Sequence, residues 1–190
     1  MDTFLQAALA EARKGLDEGG IPIGSVLVHR GIIIGRGHNR RVQQNSAVLH
    51  GEMDALENAG RMKASLYREC TLYTTLSPCS MCSGAVLLYG IPKIVVGENR
   101  TFMGEEALLQ ARGVEVEVRQ DAGCICLMQD FIAARPELWN EDIGVQRPTF
   151  ITLRISAQSP TAVASISIRN SGMARLSIPI SVLAADIALP

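Results

Sequence analysis

Residues 70–98 read CTLYTTLSPCSMCSGAVLLYGIPKIVVGE. CTLYTTL is short and rich in β-branched and aromatic residues, as a strand is. CSMCSGAVLLY is apolar at helical spacing and stops at Gly90, a residue that ends helices readily. KIVVGE is again a strand. A strand, a helix and a second strand in succession imply a parallel pair with a crossover helix. Downstream, GEEALLQARG predicts a short helix and VEVEVRQ, with strict alternation, a strand. Asp121 to Ala134 predicts a further helix, with Pro136 after it. Upstream, Phe4, Leu5, Ala8, Leu9, Ala12 and Leu16 recur at helical spacing, and Gly19-Gly20 ends that helix. IPIGSVLVHR and GIIIGRG read as a hairpin divided at Arg30-Gly31. GHNRRVQQNSAV is a polar loop, and His50 to Gly60 a helix. The whole is a layered α/β domain, antiparallel in its hairpin and parallel in its later βα units.

With 190 residues, 47% of them hydrophobic, the chain can bury one good core. A formal net charge of −1 gives no electrostatic footprint for nucleic acid. No apolar run is long enough to span a bilayer. The N-terminal segment carries acids early and helical spacing, unlike a signal peptide. Five cysteines, an odd number, suit a reducing compartment better than a disulfide scaffold. A cytoplasmic protein is the expectation, with the nucleus reachable by diffusion. Of the remaining thiols and imidazoles, Cys70, Cys124, Cys126, His29 and His38 are expected to be structural or peripheral.

The chemistry lies in HGE, residues 50–52, and SPCSMC, residues 77–82. His50, Cys79 and Cys82 are three zinc ligands of the usual types, and a catalytic zinc site leaves its fourth position to water. Cys79 and Cys82 are three apart, so a helix projects both from one face. Pro78 marks a helix start, whose positive end favours thiolates. Glu52 is placed near the metal without being a ligand. Zinc lowers the pKa of a bound water to about 7, and Glu52 is suited to shuttle its proton to an amidine-like substrate and then to the departing amine. Each piece alone has a plain structural explanation. The order H-x-E…P-C-x-x-C is the signature of zinc nucleobase deaminases.

On these motifs the sequence resembles the zinc-dependent cytidine and deoxycytidylate deaminase superfamily, and within it the small cytosine deaminases of the fungal type. The resemblance runs through EGGIPIG, GRGHN, HGE, LENAGR, LYTTLSPCSMCSGA, YGIPKIVVGEN and DFIAARPELWNEDIG. It implies a three-layer α/β/α fold around a mixed sheet of about five strands. It also implies one catalytic zinc per subunit, on His50, Cys79 and Cys82, with Glu52 as catalytic proton shuttle. Asn39 would bond the polar edge of the base, and the Gly51 amide would hold its carbonyl oxygen. The Ser77 carbonyl and the Asp142 carboxylate would receive the departing amine. Phe102 and Trp139 would pack on the ring, with Ile23 opposite. Without the resemblance, Asn39 reads first as a turn residue with positive φ, Phe102 and Trp139 as core, and Asp142 as a loop acid. Gly51 leans toward a free-base enzyme, since tRNA adenosine deaminases typically carry alanine between the His and Glu.

The expected activity is hydrolytic deamination of free cytosine, and of 5-substituted cytosines, in pyrimidine salvage. Another small cyclic amidine, creatinine or guanine, is the alternative. Editing of tRNA adenosine and a structural zinc module are weaker readings, the latter because a structural site needs a fourth protein ligand. A small nucleobase is the expected partner, with no nucleic acid or membrane. The apolar helix from Cys79 to Tyr89 exceeds what its own core needs, and the family forms homodimers, so a homodimer is expected. Residues 1–144 form the expected deaminase domain. Residues 145–190 form a C-terminal extension of unknown role, with strand-like alternation in TFITLRIS, ASISIRN and RLSIPISVL that leaves a β-rich appendage or disordered chain open.

Overall fold

The computed structural model describes residues 2–144, 152–156, 163–167 and 174–177. The chain divides into two compact units, Met1–Trp139 and Asn140–Pro190.

In the first unit, α1 (Thr3–Asp17) is capped by Asp2, whose carboxylate accepts from the Phe4 and Leu5 amides. β1 (Gly24–His29) and β2 (Ile32–His38) form the expected hairpin. Its turn residues Arg30 and Gly31 both have positive φ, 50° and 79°, as a two-residue hairpin turn requires. The supposed polar loop contains a single helical turn, α2 (Arg41–Gln44), closed by Asn45 in the left-handed region. There follow α3 (Gly51–Ala59), α4 (Ala64–Tyr67), β3 (Cys70–Leu76), α5 (Ser80–Tyr89), β4 (Lys93–Glu98), α6 (Glu106–Ala111), β5 (Glu115–Val118) and α7 (Ala122–Ala134). The last helix among the described residues, α8 (Pro136–Asp142), begins at the proline that the sequence suggested as a terminator. Proline is at home there because the first helical residue needs no amide hydrogen.

The sheet is mixed, in the order β2-β1-β3-β4-β5. β1 is antiparallel to β2 and β3, while β3–β4 and β4–β5 are parallel. One face packs Leu27, Leu72, Ile94 and Val96 against Leu56 of α3, Val86 of α5 and Leu109 of α6. The other packs Val26 and Val28 against Ala8 of α1, and Leu5 and Leu9 of α1 against Cys124 of α7. The result is the expected three-layer α/β/α arrangement. α3 lies directly on β2. A Cβ at Gly35 or Gly37 would collide with the Ala55 backbone, so only glycine lets the helix sit this low. That seating aims the start of α3 at the carboxyl end of β3, the edge where α/β sheets bind ligands.

In the second unit, β6 (Thr152–Ser156), β7 (Val163–Ser167) and β8 (Ala174–Ser177) form an antiparallel sheet in that order. The rest of the extension, with its expected order or disorder, lies outside the described residues.

Candidate metal centre and substrate pocket

Two helices begin at the same point. His50 is the N-cap of α3 and Cys79 the N-cap of α5, both with extended backbone. Cys82 lies in the first turn of α5 and is fully buried, whereas Cys79 and His50 are half-buried. His50 Nδ1 lies 3.5 Å from Cys79 Sγ, which is 3.7 Å from Cys82 Sγ. The three donor atoms lie within 4.8 Å of one another, and among the described residues they are the one such group. Two sulfurs and an imidazole suit zinc over harder cations, and three protein ligands leave a coordination position open. The positive ends of α3 and α5 meet the sulfurs, which favours thiolate. The hydrogen bond between the two sulfurs lowers the Cys79 pKa to about 4. The same bond, with burial, pushes Cys82 up. A bound cation requires both sulfurs as thiolates, so its binding releases protons.

Glu52 occupies the first turn of α3 and is only 3% exposed. Its carboxylate is held on both sides. Thr74 of β3 donates from Oγ1 to Oε1 at 3.0 Å, and Cys82 Sγ approaches Oε2 at 3.3 Å. Burial pushes the Glu52 pKa up, toward the range where a carboxyl both takes and returns a proton.

The expected pocket residues fall into two groups. Asn39 follows β2 and is fully buried. Its amide donates to the Ile23 carbonyl at 2.8 Å, and its Oδ1 accepts from the Arg41 amide at 3.1 Å. Positive φ is absent at Asn39, so a left-handed turn does not explain it. Gly51 lies beneath the same Ile23. A Cβ there would stand 3.0 Å from the Ile23 carbonyl oxygen, tighter than ordinary packing. Asn39, Ile23 and Gly51 therefore come together at the start of α3. On the other side, Ser77 follows β3, just before Pro78 and Cys79. Its amide donates to the Glu98 carbonyl at 3.0 Å and its hydroxyl to Glu106 Oε1 at 2.7 Å. Phe102 and the buried Trp139 meet edge to face, with centroids 6.1 Å apart and planes at 89°. Asp142 ends α8 within the second unit.

The peripheral groups have ordinary structural partners. His38 Nε2 meets Glu18 at 2.9 Å, and His29 Nε2 meets Glu69 at 3.1 Å. Cys70 is buried and its thiol donates to the Leu66 carbonyl at 3.2 Å. Cys124 is buried and Cys126 exposed. Sequence reading missed Thr74, which bonds Glu52, and Glu98, whose carbonyl accepts from the Ser77 amide. Their spacing from HGE and CSMC carries no pattern. Only the β3 pairing shows Thr74 facing α3.

Residues 1–98 match the model of the cytidine and deoxycytidylate deaminase zinc-binding region. The chain is 57% identical over 141 residues to a cytosine deaminase of Candida albicans, covering 74% of this chain and 94% of that one. It is 41% identical over 138 residues to a tRNA-specific adenosine deaminase of Streptococcus pyogenes serotype M18, covering 67% and 87%. Among solved structures, a guanine deaminase from Nitrosomonas europaea aligns at 26% identity with a TM-score of 0.57, covering 68% and 83%.

Proposed function

For a chain that belongs to the cytidine and deoxycytidylate deaminase zinc-binding family, we propose hydrolytic deamination of free cytosine to uracil and ammonia. Likeness to the Candida albicans cytosine deaminase over almost its whole length carries the choice of substrate. His50, Cys79 and Cys82 hold one zinc per subunit. The metal, when bound, supplies a Lewis acid that makes water a nucleophile near neutral pH. Everything else falls to the chain. Glu52 accepts the proton of the attacking water and passes it to the ring nitrogen beside the reacting carbon. Water adds at that carbon, which becomes tetrahedral. Glu52 then takes the remaining proton, from the oxygen now bonded to that carbon, and delivers it to the amine; the C–N bond breaks, the carbonyl forms and ammonia leaves. Its raised pKa suits both halves of this exchange. Asn39 and the Gly51 amide grip the polar edge of the base, Ile23 lines the wall, and Phe102 and Trp139 cover the ring. The Ser77 carbonyl receives the amine.

A guanine-type substrate is the second reading, favoured by the aligned Nitrosomonas europaea structure. Polynucleotide substrates fit poorly with a net charge of −1. We place the enzyme in the cytoplasm, in keeping with its five unpaired cysteines. No helix among the described residues is long and apolar enough to cross a membrane. A homodimer through α5 is supported by Leu88 and Tyr89, 78% and 37% exposed on that helix. Replacement of Glu52 by Gln tests the mechanism. Zinc content and fold should persist while ammonia release falls by about three or more orders of magnitude. Retained turnover would remove Glu52 from the chemistry, and lost zinc would make it a ligand.

A further inference from the structure

Glu98 is a fully buried carboxylate that the reaction as described does not use. It is the last residue of β4, and Leu76↔Glu98 is the last pair of the β3–β4 ladder. Taking an ionised carboxylate out of water is costly unless its oxygens are satisfied. Here they are satisfied entirely by the loop that follows. Oε2 accepts from the Arg100 amide at 2.6 Å and the Thr101 amide at 3.0 Å, and Oε1 accepts from the Thr101 hydroxyl. The Glu98 carbonyl meanwhile accepts from the Ser77 amide at 3.0 Å. One residue thus holds the segment leading to Cys79 with its backbone and the start of the 99–105 loop with its side chain. The far end of that loop is tied to the same segment. The Gly104 amide donates to Ser77 Oγ at 2.9 Å, and the Glu105 amide donates to the Pro78 carbonyl at 2.9 Å. Between the two anchors only Phe102 and Met103 remain. Met103 is 64% exposed, while Phe102 turns its ring to Trp139.

We propose that Glu98 is a positioning residue: its carboxylate fixes the near end of the 99–105 loop and so sets Phe102 at the height that admits a flat base. The assignment rests on the proposed role of Phe102 as cover of the pocket. A carboxylate has the capacity for three donors at once, divided over two oxygens. Glutamine keeps the shape but offers one oxygen and, on its nitrogen, two hydrogens facing donors. Glu98→Gln should therefore release the loop while leaving the core strand in place.

The test is a double-mutant cycle on full-length, zinc-loaded protein, with Glu98→Gln, Phe102→Leu and both together. Phe102→Leu should raise KM for cytosine about tenfold. Glu98→Gln should raise KM in the same direction, with kcat changed much less and zinc content unchanged. The double variant should be no worse than Phe102→Leu alone, because Glu98 acts through Phe102. Trp139 is the single tryptophan of the chain. Its fluorescence should shift in Glu98→Gln as in Phe102→Leu, and its quenching by uracil should need more uracil. If Glu98→Gln does not fold, Thr101→Val removes one donor and should move KM and fluorescence the same way. An effect of Phe102→Leu with an unmoved KM in Glu98→Gln would overturn the positioning role alone, as would strictly additive effects. An unmoved KM in Phe102→Leu would overturn the cover itself, and the role of Glu98 with it.

Discussion

Thr74→Val isolates one hydrogen bond at the centre of the site. Thr74 is fully buried on β3, and its hydroxyl donates to Glu52 Oε1 at 3.0 Å. Valine keeps the β-branched outline and loses the donor. Hydrogen bonds to charged groups contribute about 1.5–3 kcal/mol. Each 1.36 kcal/mol of barrier is about tenfold in rate. If Thr74 orients Glu52 for proton transfer, kcat should fall by about ten- to a hundredfold. KM should change little, because the Thr74 hydroxyl bonds Glu52 and not one of the residues assigned to grip the base. Thr74→Ser restores the donor and should recover most of the rate. Steady-state ammonia release on zinc-quantified protein gives kcat, and thermal melting confirms the fold. Ser25, the cross-strand partner of Thr74, is an internal comparison. It is equally buried, and its hydroxyl has no hydrogen-bond partner among the described residues, so it does not hydrogen-bond Glu52. Ser25→Ala should therefore leave kcat close to that of the parent. A parental kcat in Thr74→Val, or a loss in Thr74→Ser as deep as in Thr74→Val, would refute the orienting role.

Removing zinc with a chelator should expose a difference between the two sulfurs. Cys79, half-buried with a pKa of about 4, should alkylate first with iodoacetamide at neutral pH, while Cys82, buried and pushed up, should lag; peptide mapping gives the order, and zinc should protect both. The Glu18–His38 pair gives a pH dependence of stability. The hydrogen bond from His38 holds the Glu18 pKa below its usual value of 4.5. The pair's contribution is therefore complete above that ordinary carboxylate pKa and is lost as pH falls through the lowered one. Glu18→Gln should lower Tm slightly at neutral pH, since a carboxylate 40% exposed contributes about 1 kcal/mol or less. That gap should close in acid, and a gap that widens there would contradict the assignment.

The sheet and most of its helices were legible because two periodicities were clean. Alternation in VEVEVRQ and the β-branched run in KIVVGE mark strands, and the spacing of Leu5, Leu9 and Ala12 marks α1. The shorter elements were not legible. α2 and α4 have four residues each, too few for a period to show. α8 was hidden by Pro136, which reads as a stop until its place in the first turn is seen. At the site, His50, Glu52, Cys79 and Cys82 announce themselves because metal ligands cluster in short motifs. Thr74 and Glu98 do not. Each lies inside an ordinary strand pattern, and its importance comes from what a neighbouring strand, helix or loop brings to it. Asn39 lay between the two cases. Its position was visible, but the backbone bond that fixes its amide was not.

Ammonia release by the purified, zinc-loaded full-length chain, measured with cytosine, cytidine, guanine, adenine and creatinine in parallel, tests the central claim most directly. Rapid turnover of cytosine, with the ribosylated and purine compounds slower by orders of magnitude, is the result predicted. Turnover of guanine or creatinine with none of cytosine would contradict it, leaving the His50–Cys79–Cys82 centre and Glu52 in place around a different ring.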